Sequence, residues 1–360
     1  MNFQALNRRI KPPDIAASRD CRARWNTIAK PVGSLGLLEE AVIKIAALTG
    51  EVLPDISRRA VLVLCADNGV VAEGVTQTGS EVTALVAENI ARGQACIRYM
   101  AARANVEVLA VDMGMNRPPD CQGILDFAVA RGTQNLAKEP AMTAREAQRA
   151  ICRGMALVRL ARRRGYRLLA TGEMGIGNTT TASAVTAVLL NQPIERVTGR
   201  GAGLNDAALR RKIRVIESAI QLHTPDRNDP FSVLQTLGGL DIAGMTGIFL
   251  GGALYRVPVL IDGFISAAAA LLAARLCPAA AQAMLATHVS AEPAAALLLD
   301  ALDLKPMITA GLHLGEGTGT VCAVPMLDMA LAVYQNMATF EQIGITAYEP
   351  PKAPKSGVTA

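Results

Sequence analysis

The hydrophobic pattern changes style at about residue 60. Before residue 50, apolar positions recur at helical spacing, broken at Pro12-Pro13 and at Lys30-Pro31-Val32-Gly33-Ser34. After the second break, Leu37–Leu48 keeps the three-and-four spacing of a helix with one apolar face. From residue 60 onward, short apolar runs with β-branched residues alternate with longer Ala-rich segments. Ala60–Ala66, Val106–Asp112, Leu168–Thr171 and Val257–Ile261 are predicted strands, with Met284–Thr287 as a fifth. Such unalternating runs fit strands buried on both faces, as in a parallel sheet. The segments between them would then be right-handed crossover helices, which makes the fold class α/β. Thr143-Ala-Arg-Glu146 is a capping box opening a helix that runs toward Arg164. Pro350–Ala360 is expected to fray.

The predicted strands run into polar or glycine residues: Asp67-Asn68-Gly69, Gly114, Gly172-Glu173 and Asp262-Gly263. Ligands of open parallel sheets bind beyond the carboxyl ends of the strands. Four such junctions predict one polar cleft along one sheet edge.

Composition narrows the classes. At 360 residues, 51% hydrophobic and 19% charged, the chain has room for about two domains and is too apolar to be disordered. Aromatics are only 3%, which argues against stacking platforms for single-stranded nucleic acid. Lys+Arg 36 against Asp+Glu 31 leaves +5, so a nucleic-acid site would need that excess concentrated. The nearest case is Arg149, Arg153, Arg159, Arg162, Arg163, Arg164 and Arg167. They interleave with Ile151, Met155 and Val158, the pattern of a helix with a solvated basic face or weak steering of an anionic substrate. The longest uncharged apolar stretches, Ile242–Tyr255 and Gly263–Ala274, fall short of the roughly 20 residues of a membrane span. No nucleic acid or membrane is expected as a partner.

Seven cysteines, none in a C-x-x-C pair, read as reduced, buried thiols of a cytosolic protein. The opening MNFQALNRRIKPPD lacks the apolar core of a secretory signal, so a cytoplasmic location is expected. His223, His288 and His313 are scattered singly, and no acidic cluster suits a dedicated Mg²⁺ site. Neither a metal nor a cofactor is expected.

Three glycine-rich stretches are able to carry chemistry. Gly172-Glu-Met-Gly-Ile-Gly-Asn-Thr-Thr-Thr181 follows a predicted strand and precedes a helix expected over Ala182–Leu190. Its glycines let several backbone N–H groups and a helix N-terminus face one anion. Gly172, Gly177 and Thr179 have P-loop spacing, but Asn178 stands where that motif needs lysine. The stretch therefore reads as a monophosphate cradle or as a tight capped turn, with nucleotide triphosphate binding a distant third. Gly199-Arg-Gly-Ala-Gly203 precedes a helix over Leu204–Ile216 carrying Arg210, Arg211, Lys212 and Arg214. One of these could reach a phosphate, in its own subunit or a neighbouring one, or the helix could simply present a solvated face. In His313-Leu-Gly-Glu-Gly-Thr-Gly319 a single carboxylate, Glu316, is framed by glycines before a helix at Val321–Val333. That suits a general base of tuned pKa, or a plain acidic residue at a helix start; His313 reads as structural. Ser290-Ala-Glu292-Pro293 is an N-cap pattern and Gly238-Gly-Leu-Asp241 a turn, and either could also present polar atoms to the cleft. Paired acids before a Thr/Gly loop, the mark of enzymes using a pyrophosphate donor, are absent, as is a Ser nucleophile elbow.

Together these segments resemble the nicotinate-nucleotide:dimethylbenzimidazole phosphoribosyltransferase family of cobamide lower-ligand assembly. The resemblance runs through Lys30–Gly36, Ala66–Val70, Gly172–Thr181, Gly238–Gly247, Asp262–Phe264, His288–Glu292 and Leu314–Gly319. It implies a Rossmann-like parallel sheet flanked by helices over residues 56–335, and a small helical domain built from both chain ends, 1–55 and 336–360. It also implies dimers that share active-site edges, and transfer of the ribosyl phosphate of nicotinate mononucleotide to a lower-ligand base. By resemblance, Glu316 is the catalytic base and Glu173 a second catalytic carboxylate. The donor would be held by Gly175, Gly177, Asn178, Thr179, Gly201, Asp241, Asp262 and Ser290, with Lys212 reaching across the dimer. Pro31, Thr78, Val86, Met174 and Leu314 would line the acceptor side.

The donor's pyridinium is already a cationic leaving group, so an anion cradle and one base suffice. The sequence departs from the family between Thr76 and Val82, where relatives often carry Tyr-Pro or Ser, followed by Gln. Here Gln77-Thr78-Gly79-Ser80 is followed by Ala84-Leu85-Val86-Ala87. This predicts an acceptor wall with fewer hydrogen-bond partners, open to phenol or p-cresol as well as dimethylbenzimidazole. A phenol-activating branch works as two paralogous subunits, so the alternatives are a homodimer, a heterodimer, or a catalytically weak partner subunit.

Overall fold

The computed structural model describes residues 1–348; the tail expected to fray, Pro350–Ala360, lies outside them. The chain forms two compact units, one of residues 1–12 and 55–324, the other of residues 13–54 and 325 onward.

The larger unit is built on six parallel strands: β1 (Arg59–Ala66), β2 (Glu107–Gly114), β3 (Leu125–Asp126), β4 (Leu168–Met174), β5 (Val259–Ile261) and β6 (Met284–Ala286). Their order is β3-β2-β1-β4-β5-β6, and every pairing is parallel. The order reverses direction between β1 and β4, the point at which open parallel sheets leave a crevice. β1 is buried at all eight positions, which is why its sequence shows no alternation. β3 escapes sequence reading because two residues carry no period. β4 continues three residues past Thr171, so Glu173 and Met174 belong to the strand end itself.

Helices cover both faces. Ala144–Arg163 starts in the capping box, with Thr143 accepting from the Glu146 N–H and Glu146 accepting from the Thr143 N–H. Ile151 and Val158 are buried, Met155 is half-buried, and Arg149, Arg159, Arg162, Arg163 and Arg164 face solvent. The apolar stretches at 242–255 and 263–274 are two buried helices, Leu240–Tyr255 and Gly263–Leu276. Among the described residues no helix is long and apolar enough to cross a membrane.

Several local expectations are corrected. The helix after the glycine turn starts at Asn178, four residues before Ala182, because Gly177 at φ +94° completes the turn. Ser290 caps no helix. Its hydroxyl takes the Glu292 N–H at 3.3 Å, and the next helix, Ala295–Ala301, begins beyond Pro293. The thiols are all unpaired, but only Cys21, Cys65 and Cys277 are buried, while Cys96 and Cys152 are exposed on helices.

In the smaller unit, Trp25 and Tyr334 pack with ring centroids 4.7 Å apart. Lys30 and Glu39 form a buried ion pair at 2.5 Å, and Glu39 also accepts the Leu35 N–H at 2.9 Å. The Lys30–Gly36 motif is therefore closed on itself by one carboxylate.

Candidate active site

A cleft of about 810 Å³ opens in the larger unit at the ends of β4 and β5. Of the four strand-end junctions, only Gly172-Glu173 and Asp262-Gly263 supply residues to it. The β1 and β2 ends close on each other instead. Asp67 N–H donates to Gly114 O at 3.0 Å, and Asp67 Oδ2 accepts the Asn116 N–H at 2.7 Å.

On one side the cleft is walled by the β4 turn. Gly175, Gly177, Asn178 and Thr179 line it, with Gly201 opposite. Ile176 N–H is taken by Thr83 Oγ1 at 3.1 Å and Asn178 N–H by Gly175 O at 3.1 Å. No hydrogen bond among the described residues takes up the N–H groups of Gly177 and Thr179, which leaves them for an anion. Gly201, at φ +52°, approaches so closely that a Cβ would stand 2.9 Å from Thr179 Oγ1. Lys212 lies behind this wall, fully buried, donating to Thr179 Oγ1 at 2.9 Å and Gly199 O at 3.0 Å. This corrects the expectation of a lysine arriving from a neighbouring subunit. The helix Asp206–His223 is capped by Asn205 and packs on Asn178–Leu190, so Lys212 reaches the loop of its own chain. Burial draws its pKa down to about 8.

The carboxylates divide into two kinds. Asp241 is buried outside the cleft, its Oδ1 accepting the Ile242 N–H and its Oδ2 accepting from Asn178 Nδ2 at 3.1 Å. Asn178 gives its other amide hydrogen to Glu173 Oε2, so its side chain bridges two acids rather than facing a phosphate. Asp262 accepts from Gly317 N at 2.9 Å, Gly319 N at 2.9 Å and Thr320 N at 3.2 Å. Its oxygens thus anchor the Glu316 loop and the start of helix Thr318–Asn336. Of the two acids assigned to the donor by resemblance, Asp241 supports the site from outside the cleft, while Asp262 both holds the loop and lines the cleft. Burial raises both to about 6. Glu173 rises to about 8, first through burial and then through the charge of Asp241.

Glu316 itself is half-buried in the cleft, and its Oε2 has no hydrogen-bond partner among the described residues. Burial raises its pKa, against the Ile97 N–H, which lowers it. Its backbone is left-handed at φ +59°, between Gly315 and Gly317 at +83° and +89°. Gly172 makes room for it, since a Cβ there would stand 2.7 Å from the Glu316 carbonyl.

On the acceptor side Thr78, Val86, Met174 and Leu314 line the cleft; Leu85 is 54% exposed and does not. Pro31 belongs to the smaller unit, where it is exposed. Ser290 lines the cleft, as do Glu292 and Gln77, whose segments sequence reading brought to it without a role for either residue, and His288 and Arg200, which it did not place there. Gln77 Nε2 donates to Ala202 O at 3.0 Å and also to Gly203 O, tying the acceptor wall to the second glycine run. Polar residues in loops give no periodic signal, so only the folded contacts reveal them. Among the described residues no cluster of His, Cys, Asp and Glu is arranged to hold a metal ion.

A parallel sheet with a glycine anion cradle facing one desolvated carboxylate is the architecture of a group transfer to or from a phosphorylated sugar. The sequence profile of a family described as Phosphoribosyltransferase matches residues 10–345, which makes the class explicit. The chain is 46% identical over 327 residues to the nicotinate-nucleotide–dimethylbenzimidazole phosphoribosyltransferase of Acetivibrio thermocellus, covering 91% of this chain and 93% of that protein. To the enzyme of the same name from Chloroflexus aggregans it is 45% identical, over 95% of this chain and 97% of that protein. Its fold matches a crystal structure of CobT from Thermus thermophilus with a TM-score of 0.86 at 41% identity, over 92% of this chain and 99% of that one. The chain belongs to the nicotinate-nucleotide–dimethylbenzimidazole phosphoribosyltransferase family.

Proposed function

We propose that the cleft transfers the 5-phosphoribosyl group of nicotinate mononucleotide to dimethylbenzimidazole, giving an α-riboside 5′-phosphate and nicotinate for cobamide synthesis. The observation that carries this is Glu316, a desolvated carboxylate with a free oxygen, in the same cleft as an N–H cradle backed by Lys212. The cradle holds the donor phosphate, and Lys212 behind it supplies positive charge through Thr179. An acceptor nitrogen attacks C1′ from the face opposite the pyridinium, and the C1′–N bond breaks with its electron pair going to the leaving nitrogen. The acceptor's N–H proton passes to Glu316. Asp262, which lines the cleft and is ionised above about pH 6, supplies negative charge that suits a cationic sugar–pyridinium reactant.

The test is isothermal calorimetry with nicotinate mononucleotide, ATP and NAD, followed by product analysis with dimethylbenzimidazole. Binding of the mononucleotide alone and an α-riboside product are expected; a preference for ATP or NAD would overturn the reading. Donor cradle and Glu316 come from a single chain, which favours an active enzyme over a weak partner subunit. Activity of the purified chain alone, with its mass from light scattering, distinguishes a homodimer from an obligate heterodimer.

The acceptor wall supports a wider choice. Thr78 and Val86 give the acceptor ring few fixed hydrogen-bond partners besides Glu316, so little in the wall distinguishes a benzimidazole from another flat aromatic ring. Phenol and p-cresol, deprotonated by Glu316, are therefore expected as competing acceptors. If dimethylbenzimidazole remains the sole acceptor at every phenol concentration in a mixed assay, the wider choice is refuted.

A further inference from the structure

One charged side chain at the donor end of the cleft serves neither the proton transfer nor the anion cradle. Glu292 lines the cleft, and its Oε2 is buried with no hydrogen-bond partner among the described residues. That oxygen lies against the open face of Gly199, where any side chain would run into it. The Gly199 carbonyl accepts from Lys212 Nζ at 3.0 Å. A single glycine thus separates a desolvated anion from a desolvated cation.

Lys212 has three N–H donors. Thr179 Oγ1 and Gly199 O take two, which sets its charge directly behind the loop proposed to hold the donor phosphate. Both partners are neutral, so neither balances the charge of a buried ammonium. Burial lowers the lysine's pKa, and the charge of Glu292 acts in the opposite direction. Other surfaces near Lys212 bring no comparable charge. Helices Asn178–Leu190 and Pro230–Leu237, packed on its own helix, contain no acidic or basic residue. Glu195 and Arg196 of helix Ile194–Val197 are exposed. Arg200 is committed to Asp206 at 2.5 Å and to Leu204 O at 2.8 Å. On the lysine's own helix, Arg210, Arg211 and Arg214 are exposed, and Arg211 reaches Gly74 O. His288, in the cleft, is held neutral by burial.

We propose that Glu292 is a positioning residue of the phosphate site, its charge acting across Gly199 to keep Lys212 protonated and the cradle cationic. This rests on the reading of Lys212 as the cation that backs the donor-phosphate cradle. The experiment is the KM for nicotinate mononucleotide as a function of pH, from about 6.5 to about 9. In the unaltered chain, KM is flat and then rises as pH passes through about 8. In Glu292→Gln the rise begins about one pH unit lower, giving a roughly fivefold higher KM near pH 8, close to tenfold near 9, and a difference of about twofold or less at 6.5. Glu292→Asp restores much of the original profile. Lys212→Met gives a high KM without the alkaline rise, and adding Glu292→Gln to it changes nothing further. An unshifted profile in Glu292→Gln, or an equal KM increase at every pH, overturns the proposal. So does a full Glu292→Gln effect in the Lys212→Met background. Lys212→Met with unaltered donor KM would instead remove Lys212 from the phosphate site, and the underlying reading would fail first.

Discussion

At the scale of single residues, the reaction depends on where Glu316 is held. A non-glycine residue at φ +59° costs about 1–3 kcal/mol. It persists because Asp262 grips the backbone on both sides of the turn into the following helix. Glu316→Gln keeps the size and the backbone and removes the base. Turnover is expected to fall roughly 10²–10⁴-fold with donor affinity retained; near-normal initial rates would exclude Glu316 as the base. Asp262→Asn places an amide among three N–H donors and leaves at least one of them unpaired, at about 1–3 kcal/mol. Both kcat and the thermal midpoint should drop. A variant with normal turnover would show that the loop holds its shape unaided. The glycines around Glu316 were legible in sequence, and so was the carboxylate. That Asp262 supports the loop was not: a strand-end acid looks the same in any role until its hydrogen bonds are known.

Among elements, helices Ala144–Arg163 and Leu240–Tyr255 meet backbone to backbone through glycines. A Cβ on Gly154 would collide with Gly244 O, and one on Gly247 would collide with Ile151 O and stand 3.0 Å from Gly154 Cα. Intrinsic propensity favours alanine over glycine in a helix by about 1 kcal/mol, whereas overpacking costs about 1–3 kcal/mol. The backbone contact should win. Gly247→Ala is therefore expected to lower the thermal midpoint, while donor KM measured well below that midpoint stays unchanged. An unchanged or raised midpoint would show that the helices have room to separate. Strands β1, β2 and β4 announce themselves by apolar runs, and Ala144–Arg163 by its capping box. β3 and the early start of helix Asn178–Leu190 do not, because a two-residue pairing and a turn closed by a left-handed glycine depend on what lies opposite them.

Over the whole molecule, the carboxylates gathered at the sheet edge set the pH dependence of stability. Glu173 is raised to about 8, and Asp241 and Asp262 to about 6. Between the ordinary carboxylate range and those values the folded chain binds protons that the unfolded chain has released, so stability falls as pH rises through that window. Glu173→Gln removes the part that extends to about pH 8. Its midpoint should match that of the unaltered chain near pH 4 to 5 and exceed it by several degrees near pH 8. Parallel curves across the range would mean that Glu173 titrates normally.

The sequence by itself determined the layered α/β architecture, the glycine cradle after β4 and the lone Glu316. These follow from local rules: hydrophobic period, helix caps and the conformational freedom of glycine act over a few residues and are written where they act. Tertiary structure alone decided which polar residues share the cleft and what each does there. Lys212 meets Thr179 across 33 positions, Asp262 holds a loop 55 positions away, and Asn178 bridges Glu173 to Asp241. A charge's role depends on its partners and on its removal from water, and both are set by long-range packing that no local pattern encodes.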